Sequence, residues 1–113
     1  MLFLCLPLEL RFMELKELET RMHEFVGSKG WYDDDSPKPQ SPRNLAASLS
    51  IEAAEVLEHF QWREDVADTH ELAGELADVA LYLLQLASVT GIDLELAILD
   101  KLALNHTREW PIP

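Results

Sequence analysis

Apolar residues recur along this chain at helical spacing and nowhere alternate over the length of a strand. Leu15, Leu18, Met22 and Phe25 or Val26 form one stripe, which predicts a first helix over about 14–26, ended by Gly27 and Gly30. Residues 31–41, rich in proline and aspartate and carrying Trp31 and Tyr32, read as an irregular loop. Ser41-Pro42 is a helix start: the serine can cap, and a proline at the first helical position gives up no hydrogen bond the helix needs. The second helix then runs to about 61, with Leu45, Leu49, Ala53, Val56 and Phe60 as its expected core face. After a short polar linker, a third helix is expected over about 68–89. Leu72, Leu76, Ala80, Leu83 and Ala87 line one face of it, with Val79 and Leu84 beside them. Gly91 closes it as a left-handed cap residue. Asp93 caps a fourth helix to about 108, with Ile98 and Leu102 apolar, and Trp110 begins a terminal tail.

The expected fold is therefore all-α, a single domain of four helices over 13–113. Residues 1–12 are read as an extension of little functional weight, with Met13 as the natural start. That stretch is apolar but too short for a bilayer, which needs about 20 such residues, and it lacks the basic region of a signal peptide. The third helix is apolar over a wide arc, because Ala77, Leu81 and Leu86 fall outside the main stripe. A chain of this size cannot cover all of it alone, so a helix-packed oligomer is expected, most simply a symmetric dimer.

Charge narrows the function. Nine Lys and Arg stand against 21 Asp and Glu, a net charge of −12. That argues against binding a nucleic-acid polymer or an anionic membrane surface, both of which need a basic face. The single cysteine, Cys5, excludes a disulfide framework and a Cys-rich zinc site, and the chain reads as cytoplasmic.

The carboxylates themselves are the candidate chemistry. Glu52 and Glu55 on the second helix, and Glu75 and Asp78 on the third, are two pairs at i, i+3, so each pair shares a face. Glu52 lies beside the Leu49/Val56 stripe and Glu75 beside Val79. Facing each other at the margin of the core, four such groups repel unless something neutralises them. A divalent cation is the simplest agent, and all-oxygen ligation selects Mg²⁺, with Mn²⁺ as its substitute, over zinc. The bland alternative is a solvated acidic face, the reading retained for Glu58 and Glu71. Tyr82 follows Asp78 by one turn and continues the acidic stripe. Lys101, Asn105 and Arg108 form a polar stripe on the fourth helix, either solvated or donating to an anion. No Glu-x-x-His pair, Gly-rich phosphate loop, H-E-x-x-H or G-x-S-x-G motif is present.

Three stretches together carry a resemblance. Ser50-Ile-Glu-Ala-Ala-Glu-Val-Leu-Glu-His-Phe-Gln-Trp62, Glu75-Leu-Ala-Asp-Val-Ala-Leu-Tyr82 and Lys101-Leu-Ala-Leu-Asn105 resemble the all-α nucleotide pyrophosphohydrolases of the MazG type, in particular the branch similar to dCTP pyrophosphatases. Pro42-Arg-Asn-Leu45 adds to it, and the likeness extends over about 15–111. The resemblance implies that Glu52, Glu55, Glu75 and Asp78 bind Mg²⁺. It also implies that a nucleoside triphosphate is split between its α and β phosphates into monophosphate and pyrophosphate. Trp62 and Tyr82 then match positions lining the nucleotide pocket, and Lys101 and Asn105 match positions contacting phosphate or sugar. Dimers, or tetramers built from dimers, are implied as well.

Between Trp31 and Pro42 the chain departs from that pattern, being longer and acidic. This removes the support for Trp31 as a base contact and leaves Lys38 and Arg43 as replacement phosphate or base contacts, with Arg108 a further cation. In this reading Glu55 takes the proton of the attacking water. The competing readings are a non-catalytic acidic helical module that binds a basic partner, and a related all-α enzyme acting on dUTP or phosphoribosyl-ATP.

Overall fold

The computed structural model describes residues 13–112. The proposed extension over 1–12, with Cys5, lies outside the described residues. Four helices follow in order: α1 (Leu15–Ser28), α2 (Pro42–His59), α3 (Thr69–Val89) and α4 (Leu94–Thr107). No strand occurs among the described residues.

The helix starts are where the capping residues put them. Ser41 accepts a hydrogen bond from the Asn44 amide at 3.2 Å, with Pro42 in the first turn. Asp68 caps α3 through the Glu71 amide at 3.1 Å, and Asp93 caps α4 through Leu96 at 3.1 Å. Each cap satisfies an amide that the helix leaves free, a contribution of about 1 kcal/mol. Gly91 takes φ +76 after α3, the left-handed geometry expected of it. α1 runs past Gly27 to Ser28, and the positive φ falls at Gly30.

α3 is the hub, with α1, α2 and α4 all packed on it. The main core joins Met22 and Val26 of α1 to Leu84 of α3, with Leu15, Trp31 and Leu94 around them. Leu45 of α2 and Ala87 of α3 complete the buried apolar set. The inner face of α3 therefore differs from the expected stripe. Leu84 and Ala87 are buried, whereas Leu76, Ala80 and Leu83 are exposed, as is Ala53 on α2. The reason is that α3 is apolar nearly all round, so its own pattern leaves open which arc its neighbours cover. On α4 no residue is buried. Leu96, Ile98, Leu99, Leu102 and Leu104 are all exposed. One chain thus leaves apolar faces of α3 and α4 uncovered. α3 is also long and apolar enough to cross a membrane by composition, yet it carries Glu71, Glu75 and Asp78 and is the helix on which the others pack.

Candidate active site

The long contact between α2 and α3 brings the two acidic pairs together. Burial, then the charges of Glu55, Asp78 and Glu75, push the Glu52 carboxyl above the ordinary value. Two carboxylate oxygens, Glu52 Oε2 and Glu75 Oε2, are sealed from solvent without a hydrogen-bond partner. One comes from each helix. A buried acceptor left unpaired costs roughly 1–3 kcal/mol, so each of these oxygens lacks the partner its burial calls for. Among the described residues, however, no three His, Cys, Asp or Glu groups converge into a closed metal cage. The carboxylates are within electrostatic reach of one another but are not arranged at coordination distance as a set. The donor set, all oxygen and all acidic, fits a hard divalent cation. His59 stands behind it, only 6 % exposed, with Nδ1 3.7 Å from Glu75 Oε2. That is too long for a hydrogen bond.

Beside the carboxylates opens a cavity of about 710 Å³, bounded by α1, α2, α3 and the loop between α1 and α2. Asp78 and Tyr82 line it and connect it to the acidic cluster. Leu18, Met22, Phe25 and Trp31 give it apolar and aromatic walls, and Arg21 and Lys38 bring cations. The Lys38 ammonium lies 5.1 Å from the centre of the Trp31 ring, within cation–π range. A cavity of this size, mostly apolar with few convergent polar groups and acids at one end, has the make-up of a small-molecule site.

A hydrogen-bonded chain fixes the loop that forms one wall. Gln85 of α3, 2 % exposed, donates to the Tyr32 hydroxyl at 3.2 Å and to Gln40 Oε1 at 2.8 Å. Gln40 in turn donates to the Lys38 carbonyl at 2.7 Å. On the other side, His23 Nδ1 meets the Tyr32 hydroxyl, and its Nε2 meets Ser88 Oγ at 2.7 Å. Burial pushes the Tyr32 phenol above its ordinary value, with the Gln85 hydrogen bond opposing. At the loop's end Asn44 donates to the Pro39 carbonyl at 2.9 Å. The loop over 31–40 is thus pinned to α1, α2 and α3.

The model of the MazG-like family matches residues 47–113, more than half of the chain. The chain belongs to the MazG-like family. The matched stretch carries all four carboxylates and Tyr82, and it excludes the pinned loop. Among solved structures, a pyrophosphatase from Archaeoglobus fulgidus superposes with a TM-score of 0.70 at 36 % identity, over 83 % of this chain and 90 % of that one. Human dCTP pyrophosphatase 1 is 35 % identical over 98 residues, which are 78 % of this chain and 55 % of that protein. The chain spans about half the length of the dCTP pyrophosphatases it matches. A dATP/dGTP diphosphohydrolase of Salmonella phage PMBT28 is 50 % identical over a shorter stretch of 38 residues, 34 % of this chain and 13 % of that one.

In this MazG-like chain the remaining residues singled out from sequence are scattered. Tyr82 and Lys38 line the cavity; Arg43 is exposed and does not. Trp31, whose support the altered loop had removed, is part of the cavity wall. Trp62 is 92 % exposed and sits at φ +70, a rare conformation for a bulky residue. Lys101 and Arg108 are exposed on α4, the Arg108 guanidinium lying 4.2 Å from the centre of the Trp110 ring. Asn105 is half-buried with its Oδ1 sealed and unpaired. None of these four lines the cavity of the single chain. Sequence reasoning missed Gln85, Gln40 and His23. An amide inside the run Leu81-Tyr-Leu-Leu-Gln-Leu-Ala87 was the available signal.

Proposed function

We propose that this protein hydrolyses a nucleoside triphosphate, dCTP or a related or modified deoxynucleotide, to the monophosphate and pyrophosphate, with Mg²⁺ held by Glu52, Glu55, Glu75 and Asp78. The observation that carries this reading is the junction of two sealed, unpaired carboxylate oxygens with the cavity bearing Asp78, Tyr82, Lys38 and Arg21. Bound among the acids, Mg²⁺ supplies charge neutralisation for the triphosphate and makes water a better nucleophile at neutral pH. The chain's own residues do the rest. Arg21 and Lys38 draw phosphate charge to the cavity, and Trp31 and Phe25 offer faces to a base. Tyr82, one turn from Asp78, stands between the two ends. Glu55 is assigned as the group that takes the proton of the attacking water. The relatives named for dCTP and for dATP and dGTP support a deoxynucleotide substrate.

The uncovered faces of α3 and α4 support a homodimer, or a tetramer built from dimers. Such an assembly would bring Trp62, Lys101, Asn105 and Arg108 up to a neighbouring cavity. The cytoplasm, where triphosphates and Mg²⁺ abound, is the matching compartment.

A screen for pyrophosphate release over standard and modified triphosphates with Mg²⁺ tests the reading. Monophosphate and pyrophosphate are the expected products. Glu55→Gln and Asp78→Asn should each lose most turnover while the circular-dichroism spectrum stays helical. Orthophosphate as the product, or near-normal turnover in both variants, would overturn it.

A further inference from the structure

The hydrogen-bonded chain behind the cavity has a direction, and one atom sets it. The Lys38 carbonyl can only accept. Gln40 must therefore turn its Nε2 toward it and its Oε1 toward Gln85. Gln85 answers with its own Nε2, which also donates to the Tyr32 hydroxyl. The Tyr32 hydroxyl also meets His23 Nδ1, and His23 Nε2 meets Ser88 Oγ. Turning either amide over would set oxygen against oxygen, so the order is fixed by physical chemistry rather than assigned freely.

One polar atom remains. No donor from the described residues reaches Gln85 Oε1. It is not one of the sealed, unpaired oxygens of the described residues, and Gln85 is one of the residues that line the cavity. Its place along α3 matters. Asp78, Tyr82 and Gln85 follow at i, i+4 and i+7 on one helix face, and all three line the cavity. At about 1.5 Å per residue, the acceptor stands roughly 10 Å along the axis from the acidic end, on the side of Trp31 and Gln40.

We propose that Gln85 is the specificity-determining residue for the base, its Oε1 accepting from an exocyclic amine, so that 4-amino and 6-amino bases are taken in preference to their 4-oxo and 6-oxo counterparts. The proposal rests on the triphosphate reading and deepens it. An amino group donates to the fixed acceptor, whereas an oxo group sets oxygen against oxygen. Gln85 cannot rotate to offer its NH₂ without breaking the bonds to Gln40 and Tyr32. A site built around a fixed hydrogen bond rejects the wrong partner far more strongly than an apolar pocket rejects a change of size.

The test is kcat/KM for pyrophosphate release with Mg²⁺, measured on pairs that differ at one group: dCTP against dUTP, and dATP against dITP. The amino member of whichever pair is turned over should lead by at least about tenfold. Gln85→Leu should bring the ratio close to unity, chiefly by raising KM for the amino substrate. Asn44→Ala, which loses the loop's anchor at the Pro39 carbonyl but leaves the Gln40–Gln85 pair, should lower both members together and hold the ratio. In the unaltered protein, 2-pyrimidinone deoxyriboside triphosphate, which carries only hydrogen at that carbon, should fall between dCTP and dUTP. This arm stands even if the variants fail to fold. Turnover without amino preference, or a ratio unchanged in folded Gln85→Leu, overturns this assignment and leaves the triphosphate reading standing. Absence of pyrophosphate release from every triphosphate overturns both.

Discussion

Replacing Glu52 by Gln should make the protein more stable without metal and less responsive to metal, and the two effects have one cause. Glu52 sits half-buried, with Oε2 sealed and three other carboxylates within electrostatic reach. Gln keeps the volume and removes one repelling charge. An unpaired buried acceptor costs about 1–3 kcal/mol, and solvent screening of a partly exposed group favours the lower end. About 1 kcal/mol corresponds to a rise in Tm of roughly 4–8 °C for a domain of this size. In Mg²⁺ the order should reverse. A ligand at a hundred times its Kd stabilises by about 2.7 kcal/mol, and the variant loses most of that increment with a ligand gone. The assay is thermal unfolding of both proteins in EDTA and in millimolar Mg²⁺, at one protein concentration because assembly also shifts Tm. A variant that melts below the parent in EDTA, or gains as much from Mg²⁺, would show that these acids neither repel nor bind as a group.

Other outcomes follow from the same geometry. Glu52 holds its proton more tightly folded than unfolded, so its contribution is fully present below the unfolded carboxylate pKa and is lost as pH rises through the folded one. Metal-free stability attributable to this group should fall from mildly acid to neutral pH, and Glu52→Gln should flatten that slope in pH-dependent melts. Trp62→Gly should relieve the left-handed backbone at φ +70 and raise Tm by about 4–8 °C, for about 1 kcal/mol of relief; a lower Tm would mean that the indole is packed in the assembled protein. Leu99→Glu on the uncovered face of α4 should shift sedimentation toward the monomer while helicity persists, and an unchanged sedimentation coefficient would exclude that face from the assembly.

Helix ends were legible because capping is local. Ser41-Pro42, Asp68, Asp93 and Gly91 act within a few residues, and each does in the structure what its type dictates. The acidic pairs were legible because i, i+3 spacing puts two carboxylates on one face wherever the helix goes. The inner face of α3 was not, because a helix apolar all round takes its orientation from its neighbours; the Leu76/Ala80/Leu83 stripe turned outward and Leu84/Ala87 inward. Gln85 was hidden for a different reason. Its partners lie 45 and 53 residues away, in a loop with no periodicity to announce its path. Trp31 entered the cavity wall through that same loop.

The pinned loop divides the labour of the molecule. The four acids stand wholly on α2 and α3, whereas one wall of the cavity comes from a separate stretch of chain held by side-chain hydrogen bonds. The stretch between Gly30 and Ser41 lies outside the two helices that carry the acids. A scaffold built this way can be readdressed by grafting one short loop, together with its anchor at position 85, while the acidic end is inherited intact. Libraries that vary 32–40 and 85 jointly, and nothing else, are therefore the economical route to new substrates on this fold.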